Sequence, residues 1–208
     1  MSRGADLHDL LAGPVLDVAP RLLGAVLRHG GVAVRITEVE AYDGPNDPGS
    51  HAYRGQTDRN AVMFGPPGRL YVYFTYGMHH CCNVVCGPTE TPSAVLVRAG
   101  EVVDGIDVAR SRRGGVIDRD LARGPARLCQ ALDITRDQNG ADVSSGPLTL
   151  VRGDPITDHR TGPRVGLRGA PDRPWRYWIP GEPTVSAYRP AKPRPRPAGP
   201  DVSSSPRR

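Results

Sequence analysis

The chain has 208 residues, 38% hydrophobic and 24% charged, which suits one domain with a sizeable core and leaves a second full domain cramped. The formal charge of +5 comes from 27 basic against 22 acidic residues, but six and one of these fall in residues 189–208, so positions 1–188 carry 21 of each sign. No apolar run approaches the ~20 residues of a membrane span and no basic-then-apolar leader is present, so the expectation is a cytoplasmic protein with reduced cysteines, neither exported nor membrane-bound.

Taken in chain order, Asp17-Val18-Ala19-Pro20 reads as a capped helix start, and Leu22–Leu27 as a strand entering the turn Arg28-His29-Gly30-Gly31. Gly31–Tyr42 is β-branched and near-alternating, a strand. Residues 43–69 are rich in turn formers and charges, and a loop of that length inside a compact domain is usually functional or disordered. Leu70–Tyr76, the turn Gly77-Met78 and Cys81–Cys86 predict an antiparallel hairpin, followed by a buried strand at Ser93–Ala99. Gly124–Leu132 has helical spacing after a Gly-Pro start, and short strands are expected around Leu148–Arg152, Arg164–Leu167 and from Trp175. Hairpins dominate and long crossovers are absent, so the fold class is α/β of the α+β kind, a single domain on an antiparallel sheet. Residues 1–188 form that domain, and 189–208, with six prolines in twenty residues, form a disordered basic tail.

Lys192, in that tail, is the only lysine. Chemistry needing a folded-domain amine, such as a lysine Schiff base, is excluded. Of 11 aromatic residues, seven lie between Tyr42 and Tyr76. Side chains two apart on a strand share a face, so Glu38, Glu40 and Tyr42 point one way, and Tyr71 and Tyr73 another shared way. Either glutamate alone could be a surface residue. Glu40, at the strand's end and entering the loop that holds His51, is the stronger candidate for chemistry, and tyrosines around it suit a pocket for a flat heteroaromatic. His79-His80-Cys81-Cys82 with Cys86 lacks the spacing of zinc sites and alternates faces, so no metal is assigned and the cysteines are read as buried small hydrophobes. Phosphate-loop, hydrolase-elbow and dinucleotide motifs are absent, and no cofactor is expected.

The ordered run Thr37-Glu38-Val39-Glu40-Ala41-Tyr42, Gly44-Pro45, Asp47-Pro48, His51, Arg59-Asn60, Met63-Phe64, Pro66-Pro67-Gly68, Leu70–Met78 and Asn83 resembles the alkyladenine (3-methyladenine) DNA glycosylase family. Val95–Ala99, Gly124–Leu132, Pro163-Arg164-Val165-Gly166 and Trp175-Arg176 extend the resemblance over roughly residues 15–187. It implies a curved antiparallel sheet with surrounding helices, and hydrolysis of the N-glycosidic bond of damaged purines (3-methyladenine, hypoxanthine, ethenoadenine) flipped out of double-stranded DNA. It further implies the general base at Glu40, Arg98 near the attacking water, a base pocket of Tyr42, His51, Tyr73 and Asn83, and Tyr76 inserted into the duplex. Arg59, Met63 and Met78 match positions that meet DNA beside the lesion. With water as nucleophile and no core lysine, a monofunctional enzyme leaving an abasic site is expected, acting as a monomer, nucleoid-associated if bacterial. The alternatives are a non-catalytic nucleic-acid-binding module that uses the tyrosines as a stacking platform, and a small-molecule hydrolase that would also cleave free nucleosides.

Overall fold

The computed structural model describes residues 3–75 and 77–191, with side chains from Leu7 onward; Tyr76 and residues 192–208 lie outside the described residues. In chain order the helices are α1 (Arg3–Leu11), α2 (Val15–Arg21), α3 (Ile106–Arg113) and α4 (Pro125–Leu132). The strands are β1 (Val26–His29), β2 (Val32–Tyr42), β3 (Leu70–Thr75), β4 (His79–Cys86), β5 (Ser93–Asp104), β6 (Thr149–Val151), β7 (Arg160–Gly162) and β8 (Arg176–Trp178). They build one curled antiparallel sheet in the order β3-β4-β5-β2-β1-β6, a single mixed α/β domain. β2 is long enough to be shared along its other edge: β1 pairs with its first half and β8 with Glu38–Glu40, while β7 adds to β8. Among the described residues no helix is long and apolar enough to cross a membrane.

One face of the sheet is apolar and packs under the helices. Leu70 and Val72 of β3, Cys82, Val84 and Cys86 of β4, and Val95 and Val97 of β5 join Leu128, Cys129, Ala131 and Leu132 of α4 in the main core. The intervening residues Tyr71 and Tyr73, Cys81 and Asn83, and Leu96 and Arg98 line a cavity on the other face. Period-2 alternation separates packing from chemistry across three neighbouring strands.

In β2 strict alternation fails at an informative place. Val32, Val34 and Ile36 face the core, but so do Val39 and Ala41, so the parity switches between them. The pairing with β5 slips on both sides of Glu38: Ile36 opposes Gly100, Glu38 opposes Ala99, and Val39 opposes Val97. Thr37 is thus the extra residue in β2 and Arg98 the extra one in β5, a pair of compensating bulges. Bulges re-aim side chains. Here they turn Glu38, Glu40 and Tyr42 away from the core that the residues just before them enter.

Several boundaries differ from those expected. The helix expected to begin at Asp17 begins at Val15, and Pro20 stands near its end, where Leu22 caps the turn. The strand expected at Leu22–Leu27 is shifted to Val26–His29. Residues Arg164–Leu167 are not a strand; that strand is β7, four residues earlier, and Arg164 instead turns its side chain into the protein. Helices α1 and α3 went unread, and β5 runs five residues past Ala99 to Asp104. The long loop after β2 contains two 3-10 turns, Gly44–Asn46 and Ala61–Phe64.

Candidate active site

The cavity on the polar side of the sheet has a volume of about 370 Å³, at the small end of the ~300–1,000 Å³ range for small-molecule sites. It gathers side chains from β2 through β5, the 43–69 loop, the start of α4 and the Val165-Gly166-Leu167 segment. Tyr42, His51, Tyr73, Asn83 and Arg98, five residues singled out in the sequence, line it together. Its aromatic side is a cluster: the His51 ring meets Tyr73 edge-on at 4.6 Å between centroids, and Tyr71 lies 5.7 Å from Tyr73. His51 Nδ1 and the Tyr71 hydroxyl are 3.1 Å apart. His51 stands at the exposed rim, and partial burial of its ring, with the Arg59 charge nearby, lowers its pKa below the usual imidazole value. Burial raises the pKa of the Tyr73 hydroxyl and pushes the Cys81 thiol up to about 11, so both stay protonated near neutrality.

Glu40 is fully buried and sits one hydrogen bond behind the cavity wall. The three groups that hold its carboxylate, Tyr42, Arg98 and Val165, all line the cavity. The Tyr42 hydroxyl donates to Oε2 at 2.8 Å, the Val165 N–H donates to Oε1 at 2.7 Å, and Arg98 Nη1 lies 3.3 Å from Oε1. A carboxylate offers about four acceptor positions. Two are taken by hydrogen bonds from described residues, Arg98 faces Oε1 as an ion pair, and Oε2 accepts only from the Tyr42 hydroxyl. Burial, and then the Glu40 charge, raise the Tyr42 hydroxyl well above the usual phenol value, which keeps it a donor to that oxygen. Burial alone would lower Arg98, but the Glu40 and Glu38 charges outweigh it and raise it, so its cation is secure.

Glu38, two residues earlier and equally buried, is held differently. Its carboxylate accepts from Arg98 Nε (3.0 Å), Arg176 Nε (2.6 Å), the Ser186 N–H (2.7 Å) and the Ser186 hydroxyl (3.0 Å). Three of these donors converge on Oε1, and the Ser186 N–H alone meets Oε2. Arg98 therefore bridges the two glutamates, and its Nη2 donates to Ser186 as well. Buried charges need such pairing, because an unpaired one costs several kcal/mol.

Behind Tyr42 stands a second buried ion pair. Arg164, 1% exposed, donates through both terminal nitrogens to Asp47 and through Nη1 to the Ala41 carbonyl. Its guanidinium lies 4.7 Å from the Tyr42 ring centroid and 5.2 Å from that of Trp175. The pair staples the start of the 43–69 loop to the segment carrying Val165. Gly49 makes this possible, since a Cβ there would stand 2.9 Å from Arg164 Nη2 and 2.5 Å from Leu167. Arg164, Arg176, Ser186 and the Val165 N–H were not assigned site roles from sequence. Pro163–Gly166 and Trp175-Arg176 stood out there only as matched runs, and nothing in composition marks which arginines will be buried.

Of the three residues expected to meet DNA beside the lesion, Arg59 is exposed with its guanidinium 5.5 Å from the Tyr73 ring centroid, and Met78 is 68% exposed in the β3–β4 turn. Met63 differs: it is 2% exposed and faces the cavity, not the outer surface. Tyr76, expected to enter the duplex, lies outside the described residues. The four cysteines are buried; Cys81 faces the cavity and Cys82 the core, on opposite faces as alternation requires.

Comparison with known proteins agrees with the motif run. The family model for methylpurine-DNA glycosylase (MPG) matches residues 9–183. A Streptomyces avermitilis protein named "Putative 3-methyladenine DNA glycosylase" is 56% identical over 200 residues, covering 91% of this chain and 94% of its own. Identically named proteins of Leifsonia xyli and Frankia casuarinae are 55% and 53% identical, over 88% and 93% of this chain and 92% and 95% of theirs. With a matching model over most of its length and relatives above half identity, the chain belongs to the methylpurine-DNA glycosylase family.

Proposed function

We propose that this protein is a monofunctional DNA glycosylase that hydrolyses the N-glycosidic bond of a damaged purine extruded from duplex DNA. The observation that carries the reading is Glu40: a buried carboxylate behind an aromatic cavity, held on three sides by cavity-lining groups and with one acceptor position left on Oε2. A base inside a duplex is out of reach, so it must be flipped at a cost of a few kcal/mol, least for damaged or mispaired bases. Stacking against Tyr42, Tyr73 and His51 returns ~1–3 kcal/mol per base. Electron-rich rings also favour a cationic alkylpurine over a neutral base.

In this reading Glu40 Oε2 accepts a proton from a water that attacks C1′. The C1′–N bond breaks with its electron pair leaving on the purine. A cationic alkylpurine departs neutral, so a single base suffices. Arg98 fixes the Glu40 carboxylate and favours its charged form, and Tyr42 orients Oε2. Asn83, buried on the cavity wall with its side-chain nitrogen donating to the Tyr71 carbonyl, screens the purine edge against a normal exocyclic amine. The folded domain has no lysine to form a Schiff base, so the strand is left whole at an abasic site.

Incubating the protein with duplexes carrying a single hypoxanthine, ethenoadenine or 3-methyladenine, and then treating with alkali, tests this. The expected result is strand cleavage only after alkali, only at the lesion. Direct nicking contradicts the monofunctional reading. Intact strands for every lesion contradict glycosylase activity altogether and favour a binding module.

A further inference from the structure

A second cavity, of about 470 Å³, lies against the first and shares Arg98 and Val165 with it. Its remaining charged lining is Arg123, Arg127 and Arg189 against Asp120 alone. This is a concentrated excess in a domain whose residues 1–188 carry equal numbers of acids and bases. Two of these cations are not spent on the fold. Arg123 is held, donating to the Val185 carbonyl and to Asp120. Arg127 and Arg189 are exposed and have no side-chain hydrogen bond or ion pair among the described residues. Arg127 also stands in the first turn of α4, a turn without an acid, where a cation opposes the positive end of the helix dipole. An anion in the cavity would relieve both the mutual repulsion of the arginines and that mismatch.

We propose that this arginine-lined cavity is a phosphate subsite, taking a backbone phosphodiester of the lesion strand next to the flipped nucleotide. The inference rests on the glycosylase reading and extends it. The shared wall limits the ligand: a group held there while a base fills the first cavity must be covalently close to that base. Guanidinium forks match paired phosphate oxygens. Phosphate contacts fix the register of the strand and carry no sequence information, as suits an enzyme that acts at damage in any context.

Arg127→Gln and Arg189→Gln test the subsite without touching residues that hold the fold. Binding to a duplex with one hypoxanthine is measured across salt concentrations for the wild type and each variant. Losing one phosphate contact lowers the salt slope by about one. The variants are expected to show that loss while keeping the wild-type excision rate at saturating enzyme. A set of duplexes with one uncharged methylphosphonate, placed in turn at each phosphate around the lesion, then locates the contact. Wild-type binding is expected to weaken most at one phosphate flanking the lesion, and the Arg127 variant to be indifferent there. An unchanged slope, or equal methylphosphonate sensitivity in variant and wild type, overturns the subsite. So does a variant whose only change is weaker inhibition by added inorganic phosphate, because that assigns the cavity to free anion. Wild-type protein that excises nothing fails the glycosylase reading instead, and the binding data distinguish the two failures.

Discussion

Glu38 and Glu40 are the same residue type, two positions apart on one strand, on one face, both fully buried and both touching Arg98. Their surroundings differ in the groups that hold them and in the cavity those groups face. Glu38 accepts four hydrogen bonds, three of them on Oε1, from Arg98, Arg176 and Ser186, and neither Arg176 nor Ser186 lines the aromatic cavity. Glu40 accepts two, from Tyr42 and the Val165 N–H, with Arg98 Nη1 as an ion-pair partner, and all three groups line that cavity. A buried carboxylate tied to two arginines and a serine serves the scaffold, whereas one with fewer hydrogen bonds directly behind a cavity wall is better placed to take a proton. What separates the two is which groups hold them and which cavity those groups line, not residue identity or burial.

Removing the charge at each position should separate the two roles. Glu38→Gln leaves Arg98 and Arg176 short of a counter-charge, and breaking a buried ion pair from one side costs about 3–5 kcal/mol. Denaturant unfolding is expected to show that loss, and a variant as stable as the wild type would mean the network adds little. Glu40→Gln should cost less stability, since Arg98 keeps Glu38. A smaller effect follows from Tyr42→Phe, which removes one neutral donor from Oε2 and keeps the ring over Arg164. The loss of one such hydrogen bond is worth about 1 kcal/mol, roughly a fivefold lower single-turnover rate. A variant reduced a thousandfold would place Tyr42 in the chemistry itself.

The mildest test concerns pH. Burial and then Arg59 lower His51 below the ordinary imidazole value, so its ring is neutral at neutral pH and protonates only as pH falls below the mid-sixes. A cationic rim repels a cationic base and tolerates a neutral one. Binding of a 7-methylguanine duplex should therefore weaken relative to a hypoxanthine duplex as pH falls through that range, by a few-fold. His51→Gln should abolish the difference. A ratio independent of pH in the wild type would remove His51 from contact with the base.

Much of this arrangement was legible in the sequence because it follows alternation. Tyr71 with Tyr73, and Cys81 against Cys82, fall on the faces that a period of two assigns them, and Glu38, Glu40 and Tyr42 share one face as it predicts, though the bulges turn that face away from the one Val34 and Ile36 take. Glu40 was separable from Glu38 by its place at the strand's end. Two things were not legible. The double bulge at Thr37 and Arg98 arises from pairing between strands about 60 residues apart, and no local pattern encodes it. Arg164 lies 117 residues from Asp47, and its burial depends on that partner. A lone arginine beside a proline looks like surface until the carboxylate that neutralises it is in view. The same non-locality hid the second cavity, whose arginines come from β5, the α3–α4 connection, α4 and the end of the described chain.

Single-turnover excision of hypoxanthine from duplex DNA by Glu40→Gln, at saturating enzyme and with duplex affinity measured alongside, tests the central assignment most directly. The expected result is near wild-type affinity with a rate lower by about 10²–10⁴-fold, the usual loss when a general base is removed. Excision within a few-fold of the wild type would show that another group deprotonates the water, and that the open position on Oε2 is incidental.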